Sequence, residues 1–323
     1  MYRPLLLGLG SLILLGATSL LALLFWPLSA PTQPLADRSL SSFAEATAAL
    51  AELDGMELPL LREDCASIRL DSGKKEAKVA LLLHGYTNCP KQFLEFGQRL
   101  QAKGYNVLIP RAPGHGYSDR GTDALGAVTA GDFATYLHTS VAIAEQMGEE
   151  ITLMGLSGGG TLTLWATLFE PKVDRFIAVA PVAYPRGFAP ILRRGVIRYA
   201  AWTPNEFSWW DKVQQQNLPG PMHAYRRYAS KSMGAILHMA AYVEEQLGRL
   251  PQDAPITFVI NDADKALRDE ELHQLADRFA AAGASVERLV FPRDLGYPHD
   301  LMDPENIKDN KDAVYTALLE LFP

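Results

Sequence analysis

Short, unbroken apolar runs alternate along this chain with longer stretches in which apolar residues recur every three or four positions. The runs lie at residues 78–83, 106–109, 151–154, 176–180 and 256–260, with a less apolar one at 287–291. Aliphatic runs of this length without polar alternation are expected of strands buried on both faces. Between them, residues 130–147, 161–169 and 268–277 carry helical spacing. Strand and helix taking turns predicts an α/β fold: a mostly parallel central sheet with helices on both faces. Residues 66–70 add a further strand, and residues 41–53 a short helix ahead of it.

Two regions break this rhythm. Residues 4–28 are almost wholly apolar and carry no charge. About twenty such residues span a bilayer as a helix. Arg3 and the amino terminus put positive charge on the near side, which predicts an anchor with the following domain across the membrane, on the extracytoplasmic side. The alternative is a cleaved signal peptide with a cut near Ala36, giving a secreted protein. The run is long for one, and Pro31 stands directly after Ser29-Ala30. Pro31, Pro34 and the polar residues around them read as a linker. Residues 1–35 are thus set apart from a single domain over 36–323. The second break, from Pro181 to about Ser230, holds Phe188, Trp202, Phe207, Trp209, Trp210, Tyr225 and Tyr228.

Composition narrows the partners. A net charge of -7 argues against broad nucleic-acid binding, and 48% hydrophobic residues suffice for a large core. No internal repeat is evident. The two cysteines, Cys65 and Cys89, lie just before the 66–70 strand and just after His84-Gly85-Tyr86-Thr87-Asn88. In an exported domain they suit a disulfide, which would stabilise by roughly 3 kcal/mol for a loop of about 25 residues. The alternative is two unpaired buried thiols. No His/Cys cluster suggests a metal.

The chemistry concentrates at strand ends. Gly155-Leu156-Ser157-Gly158-Gly159 follows the 151–154 run and precedes a helical stretch, the context of a nucleophile elbow. A serine there occupies a strained turn, with glycines on either side where a side chain would clash. Upstream, the 78–83 run ends in His84-Gly85-Tyr86. Downstream, the 256–260 run ends in Asn261-Asp262-Ala263-Asp264, and Gly296-Tyr297-Pro298-His299-Asp300 follows the last strand signal.

Taken in order, His84-Gly85-Tyr86, Pro113-Gly114-His115-Gly116, Gly155 to Gly159, Asp264 and His299 resemble the α/β-hydrolase fold family, most closely its carboxylesterases and monoacylglycerol-lipase-like members. The resemblance covers roughly residues 64 to 323. It implies a Ser157, Asp264, His299 triad and an oxyanion hole from the N–H groups of Tyr86 and Gly158. Similar sequences place the acid a few residues past the strand, with a small residue before it, which favours Asp264 over Asp262. Lys265-Ala266-Leu267 departs from the usual continuation and keeps Asp262 in view. Among the seven histidines, His138, His238 and His273 fall in helical stretches. His223 suits an ordinary surface role, and His84 and His115 a structural one.

The family also implies that residues 181–230 form a helical cap. Its aromatics would line an acyl pocket or simply bury the cap. Arg193, Arg194 and Arg198 would meet an anionic lipid head or form a solvated face. The implied chemistry is hydrolysis of carboxylic esters, small-molecule or lipid, without a cofactor. The same triad also serves peptidases, thioesterases and acyltransferases, and a non-catalytic binding module could keep the fold.

Overall fold

The computed structural model describes residues 16, 18, 19, 24–32 and 39–323. Most of the 4–28 run expected to anchor the chain lies outside these residues. Among the described residues no helix is long and apolar enough to cross a membrane.

Seven strands form the central sheet: β1 (Ile68–Leu70), β2 (Glu76–Leu83), β3 (Asn106–Ile109), β4 (Gly148–Leu156), β5 (Arg175–Val179), β8 (Pro255–Asn261) and β9 (Ser285–Phe291). Their order is β1-β3-β2-β4-β5-β8-β9, parallel throughout except for β1, which runs antiparallel to β3 at one edge. The runs at 78–83, 106–109, 151–154, 256–260 and 287–291 fall inside these strands, whereas the 176–180 run outlasts β5 by Ala180 and the strand expected at 66–70 begins only at Ile68. Strands β2 and β4 extend past their apolar runs because the parallel ladder between them reaches from Glu76↔Gly148 to Leu83↔Gly155. Val79 to Leu83 are fully buried, as are Leu153 and Met154. Strands covered on both faces have no polar side to show, hence the unbroken hydrophobicity.

The helices are α1 (Phe43–Asp54), α2 (Leu94–Ala102), α3 (Ala130–Met147), α4 (Gly158–Phe169), α5 (Arg193–Trp202), α6 (Ser230–Glu245), α7 (Asp269–Ala281) and α8 (Lys311–Leu319). Thr129 caps α3 with a reciprocal bond to Asp132, so the element begins where the sequence suggested.

Between β5 and α6 the chain leaves the sheet. This segment carries α5 and a two-stranded antiparallel ribbon of β6 (Phe207–Trp209) and β7 (Arg227–Ala229), so it is a mixed cap with a single α-helix. Helix α5 packs on α6, where a side chain on Gly234 would reach within 2.5 Å of Ala200. Arg193 and Arg194 pair with Glu244 and Glu245 of α6, and Arg198 donates to the carbonyls of Trp26 and Pro27. These arginines therefore serve the fold.

Cys65 and Cys89 form a disulfide with a sequence separation of 24. It joins the approach to β1 to the turn just past the end of β2.

Candidate active site

Strand β4 ends at Leu156, and Ser157 turns the chain into α4 with φ 57° and ψ -112°. A non-glycine residue rarely holds such a conformation, so its surroundings must enforce it. They do so through backbone: Ser157 N–H donates to the Val179 carbonyl at 2.8 Å, and the Ser157 carbonyl accepts from Thr161 and Val182. The glycines are required by close approach. A Cβ on Gly155 would stand 2.2 Å from the Gly159 carbonyl oxygen, and one on Gly159 would stand 2.2 Å from that of Leu83.

Three loops bring the predicted residues together. Ser157 Oγ lies 2.9 Å from His299 Nε2, and His299 Nδ1 lies 2.6 Å from Asp264 Oδ2. The carboxylate contact fixes the proton on Nδ1 and leaves Nε2 to accept from the serine hydroxyl. Asp264 is 3% exposed, and its Oδ1 accepts the N–H groups of Ala266 and Leu267. Burial works against the Asp264 charge, but His299 and these N–H donors outweigh it and hold the carboxyl below its usual range. Burial likewise works against the imidazolium, and the Asp264 charge, with the hydrogen bond to it, overrides that and raises His299 above an ordinary histidine. Asp262, the alternative acid, points away and pairs with His273 at 3.0 Å.

Tyr86 lies beside the residue after Ser157: a Cβ on Gly158 would sit 3.1 Å from the Tyr86 backbone nitrogen. Gly158 opens α4, and the first N–H groups of a helix lack an intrahelical acceptor. The Tyr86 side chain is tied down separately. Its hydroxyl accepts from Ala229 N–H at 3.1 Å and lies 2.7 Å from Ser232 Oγ. Burial pushes that hydroxyl up to about 12, so it stays protonated.

Several contributors carried no sequence signal. Gln92 is buried, accepts Gly85 N–H at 2.7 Å and donates to Asp300 Oδ2 at 2.8 Å. One amide thus joins the loop of Tyr86 to the loop of His299. Thr87, at φ 69°, is held by the cap: Tyr225 N–H donates to its carbonyl and Trp210 Nε1 to its hydroxyl. Neither a buried glutamine nor a strained threonine leaves a periodic trace. His84 and His115 are buried and structural, as expected; His84 Nε2 accepts the Ala112 N–H. Burial holds both rings below the ordinary histidine range. His223 departs from the surface role assigned to it. The cap dips back beside the body there, and His223 is 3% exposed, with Nε2 2.8 Å from Asp303.

Ser157 and His299 open onto a cavity of about 330 Å³ between the sheet edge and the cap, walled largely by apolar groups such as Val182, Leu218, Pro219 and Met233. Of the cap aromatics, Trp210 and Tyr225 line it. Trp202 lies exposed on α5, and Phe207 stacks on Arg227.

The model of the alpha/beta hydrolase family matches residues 80–307. A thermostable monoacylglycerol lipase of Bacillus sp. (strain H-257) is 32% identical over 101 residues, which span 31% of this chain and 38% of that protein. Among solved structures, a metagenome-derived lipolytic enzyme superposes with a TM-score of 0.60 at 18% identity, over 81% of this chain and 98% of its own. The Paleococcus ferrophilus monoacylglycerol lipase gives 0.59 at 16% identity, over 79% and 97%. At these identities the likeness is one of fold.

Proposed function

The chain belongs to the alpha/beta hydrolase family, and from that premise we propose that it is a serine hydrolase that cleaves carboxylic esters through an acyl-enzyme. The observation that carries this reading is the unbroken line of hydrogen-bond contacts from Ser157 through His299 to Asp264, opening on an apolar cavity. His299 takes the Ser157 proton as Oγ attacks the ester carbonyl. The N–H groups of Tyr86 and Gly158 receive the oxyanion, and Asp264 stabilises the imidazolium. Protonated His299 hands its proton to the departing alcohol. Water, deprotonated by the same ring, then hydrolyses the acyl-serine.

Lipid esters are the favoured substrate class. The apolar cavity walls support this, as does the similarity to a monoacylglycerol lipase. The hydrolase domain is assigned to residues 36–323, with the cap at about 181–230. We read residues 4–28 as an anchor that leaves this domain outside the cytoplasm. The disulfide suits that side of the membrane.

Hydrolysis of p-nitrophenyl esters from acetate to palmitate tests the chemistry. Wild type should turn them over, and Ser157→Ala should lose about 10⁶ in kcat together with fluorophosphonate labelling. A Ser157→Ala protein with unchanged turnover would end the reading. Fractionation of cells tests the anchor, since a mature protein beginning near Ala36 in the soluble fraction would replace it with secretion.

A further inference from the structure

Among the described residues only two arginines are buried, and the fold treats them in opposite ways. Arg111 is enclosed by carboxylates: Asp54 Oδ1 lies 2.9 Å from its Nε and Glu57 Oε2 lies 2.7 Å from its Nη2. Its guanidinium also donates to the carbonyls of His115 and Leu53. Every side of that cation is answered. Arg226 is not. It is 7% exposed, yet its Nε is buried without a partner, and it pairs with no carboxylate among the described residues. Its Nη2 donates to the Gly220 carbonyl at 2.9 Å.

The charges around Arg226 deepen the imbalance. Burial disfavours its cation first, nearby Arg120 repels it second, and Glu305 offsets them only in part. Arg120 brings no counter-ion either. It donates to the Ala224 carbonyl and the Met222 sulfur, and its own Nη2 is buried without a partner. Asp300 shares the cavity wall with Arg226, but its carboxylate is engaged elsewhere by Gln92, Asn306 and the N–H groups of Met302 and Asp303. Burial and the Asp303 charge push Asp300 towards its neutral form.

Arg226 lines the same cavity as Ser157 and His299. A guanidinium cannot shed its proton, so a buried one without a counter-ion is stable only against a compensating group. Its planar fork of donors matches carboxylate and phosphate oxygens. We propose that Arg226 binds an anionic group of the substrate, so that the ester cleaved at Ser157 carries a carboxylate or a phosphate. The inference rests on the ester-hydrolase reading and names the substrate class within it.

Two matched pairs of esters test this. Mono-p-nitrophenyl glutarate against p-nitrophenyl pentanoate places a carboxylate on the acyl side. 1-Butyrylglycerol 3-phosphate against 1-butyrylglycerol places a phosphate on the alcohol side. Wild type should favour the anionic member of at least one pair by roughly 10- to 100-fold in kcat/KM, the span of a charge-assisted hydrogen bond. Most of that should appear in KM. Arg226→Met should erase the preference and Arg226→Lys should keep part of it, with thermal melting by circular dichroism reporting the fold. Should Arg226→Met not fold, the wild-type ratio and Arg226→Lys still decide. Neutral esters cleaved as fast as anionic ones in both pairs, or a preference intact in Arg226→Met, would overturn the anion site alone. Turnover of none of the four would remove the ester-hydrolase reading and the anion site with it.

Discussion

The carboxyl edge of the sheet and the cap above it face the same cavity, yet they are held by opposite means. At the edge, backbone meets backbone. Gly155, Gly159 and Leu83 approach so closely that no Cβ fits between them, and Ser157 keeps its positive φ because the end of β5 grips it. In the cap, the contacts to the body are mostly single side-chain bonds, as from Trp210 to Thr87 and from Arg194 to Glu245, beside one backbone bond from Tyr225 to Thr87. A close-packed backbone has no intermediate setting, whereas separate side-chain bonds can be lost one at a time. Substitutions at the edge should therefore act as all or none, and those in the cap by degrees.

The largest effect should come from the edge chemistry. Asp264→Asn should lower kcat by about 10⁴, through loss of the carboxylate that orients His299. It should also move the acid limb of the kcat/KM profile. His299 must be neutral to act as base, so the rate falls as pH drops through its pKa, which Asp264 raises. Removing that charge should shift the limb to lower pH, as rate profiles of both proteins would show. Asp262→Asn should stay within about twofold, the ordinary range for a partly exposed side chain away from the site; a large loss there would reassign the acid. Next in size, Gly159→Ala should cost more than about 4 kcal/mol, since a backbone oxygen would have to move. Chemical denaturation measures this, and a well-folded variant would contradict the all-or-none picture.

Reducing the Cys65–Cys89 bridge should lower stability by about 3 kcal/mol, read from melting with and without reductant. Smallest, Trp210→Phe removes one hydrogen bond to Thr87 and keeps one aromatic ring of the two fused in the indole. It should cost about 1 kcal/mol, near fivefold in kcat/KM. A loss as large as that of Asp264→Asn would mean that the cap is no less rigid than the edge.

The same contrast governs what the sequence discloses. Strands β2, β4, β5 and β8 are legible because double-sided burial of their central positions demands apolar residues there. Ser157 and His299 are legible because each stands at a strand end marked by glycine or a turn. Choosing Asp264 over Asp262 needed the resemblance, for both follow β8 within a few residues. Gln92, Thr87 and Arg226 were illegible. Each acts through a partner distant in sequence, Asp300, Trp210 and the cavity, and single long-range contacts impose no period. His223 misled for the same reason, as its burial depends on where the cap folds back.

The segment from Asp211 to Leu218 differs from the rest of the cap in bonding inwardly. Asp211 accepts from Val213, Gln214 and Gln215, and Leu218 N–H returns to Gln215. Tyr225 and Ala229, by contrast, hold Thr87 and Tyr86. Variation is thereby partitioned along the chain. A library that changes the length and composition of residues 212–217 should alter the mouth of the cavity without moving Tyr86 and Gly158, the proposed oxyanion donors, whereas the same diversity at 225–232 would disturb them. The fold thus contains a region where new selectivity can arise without rebuilding the reaction centre.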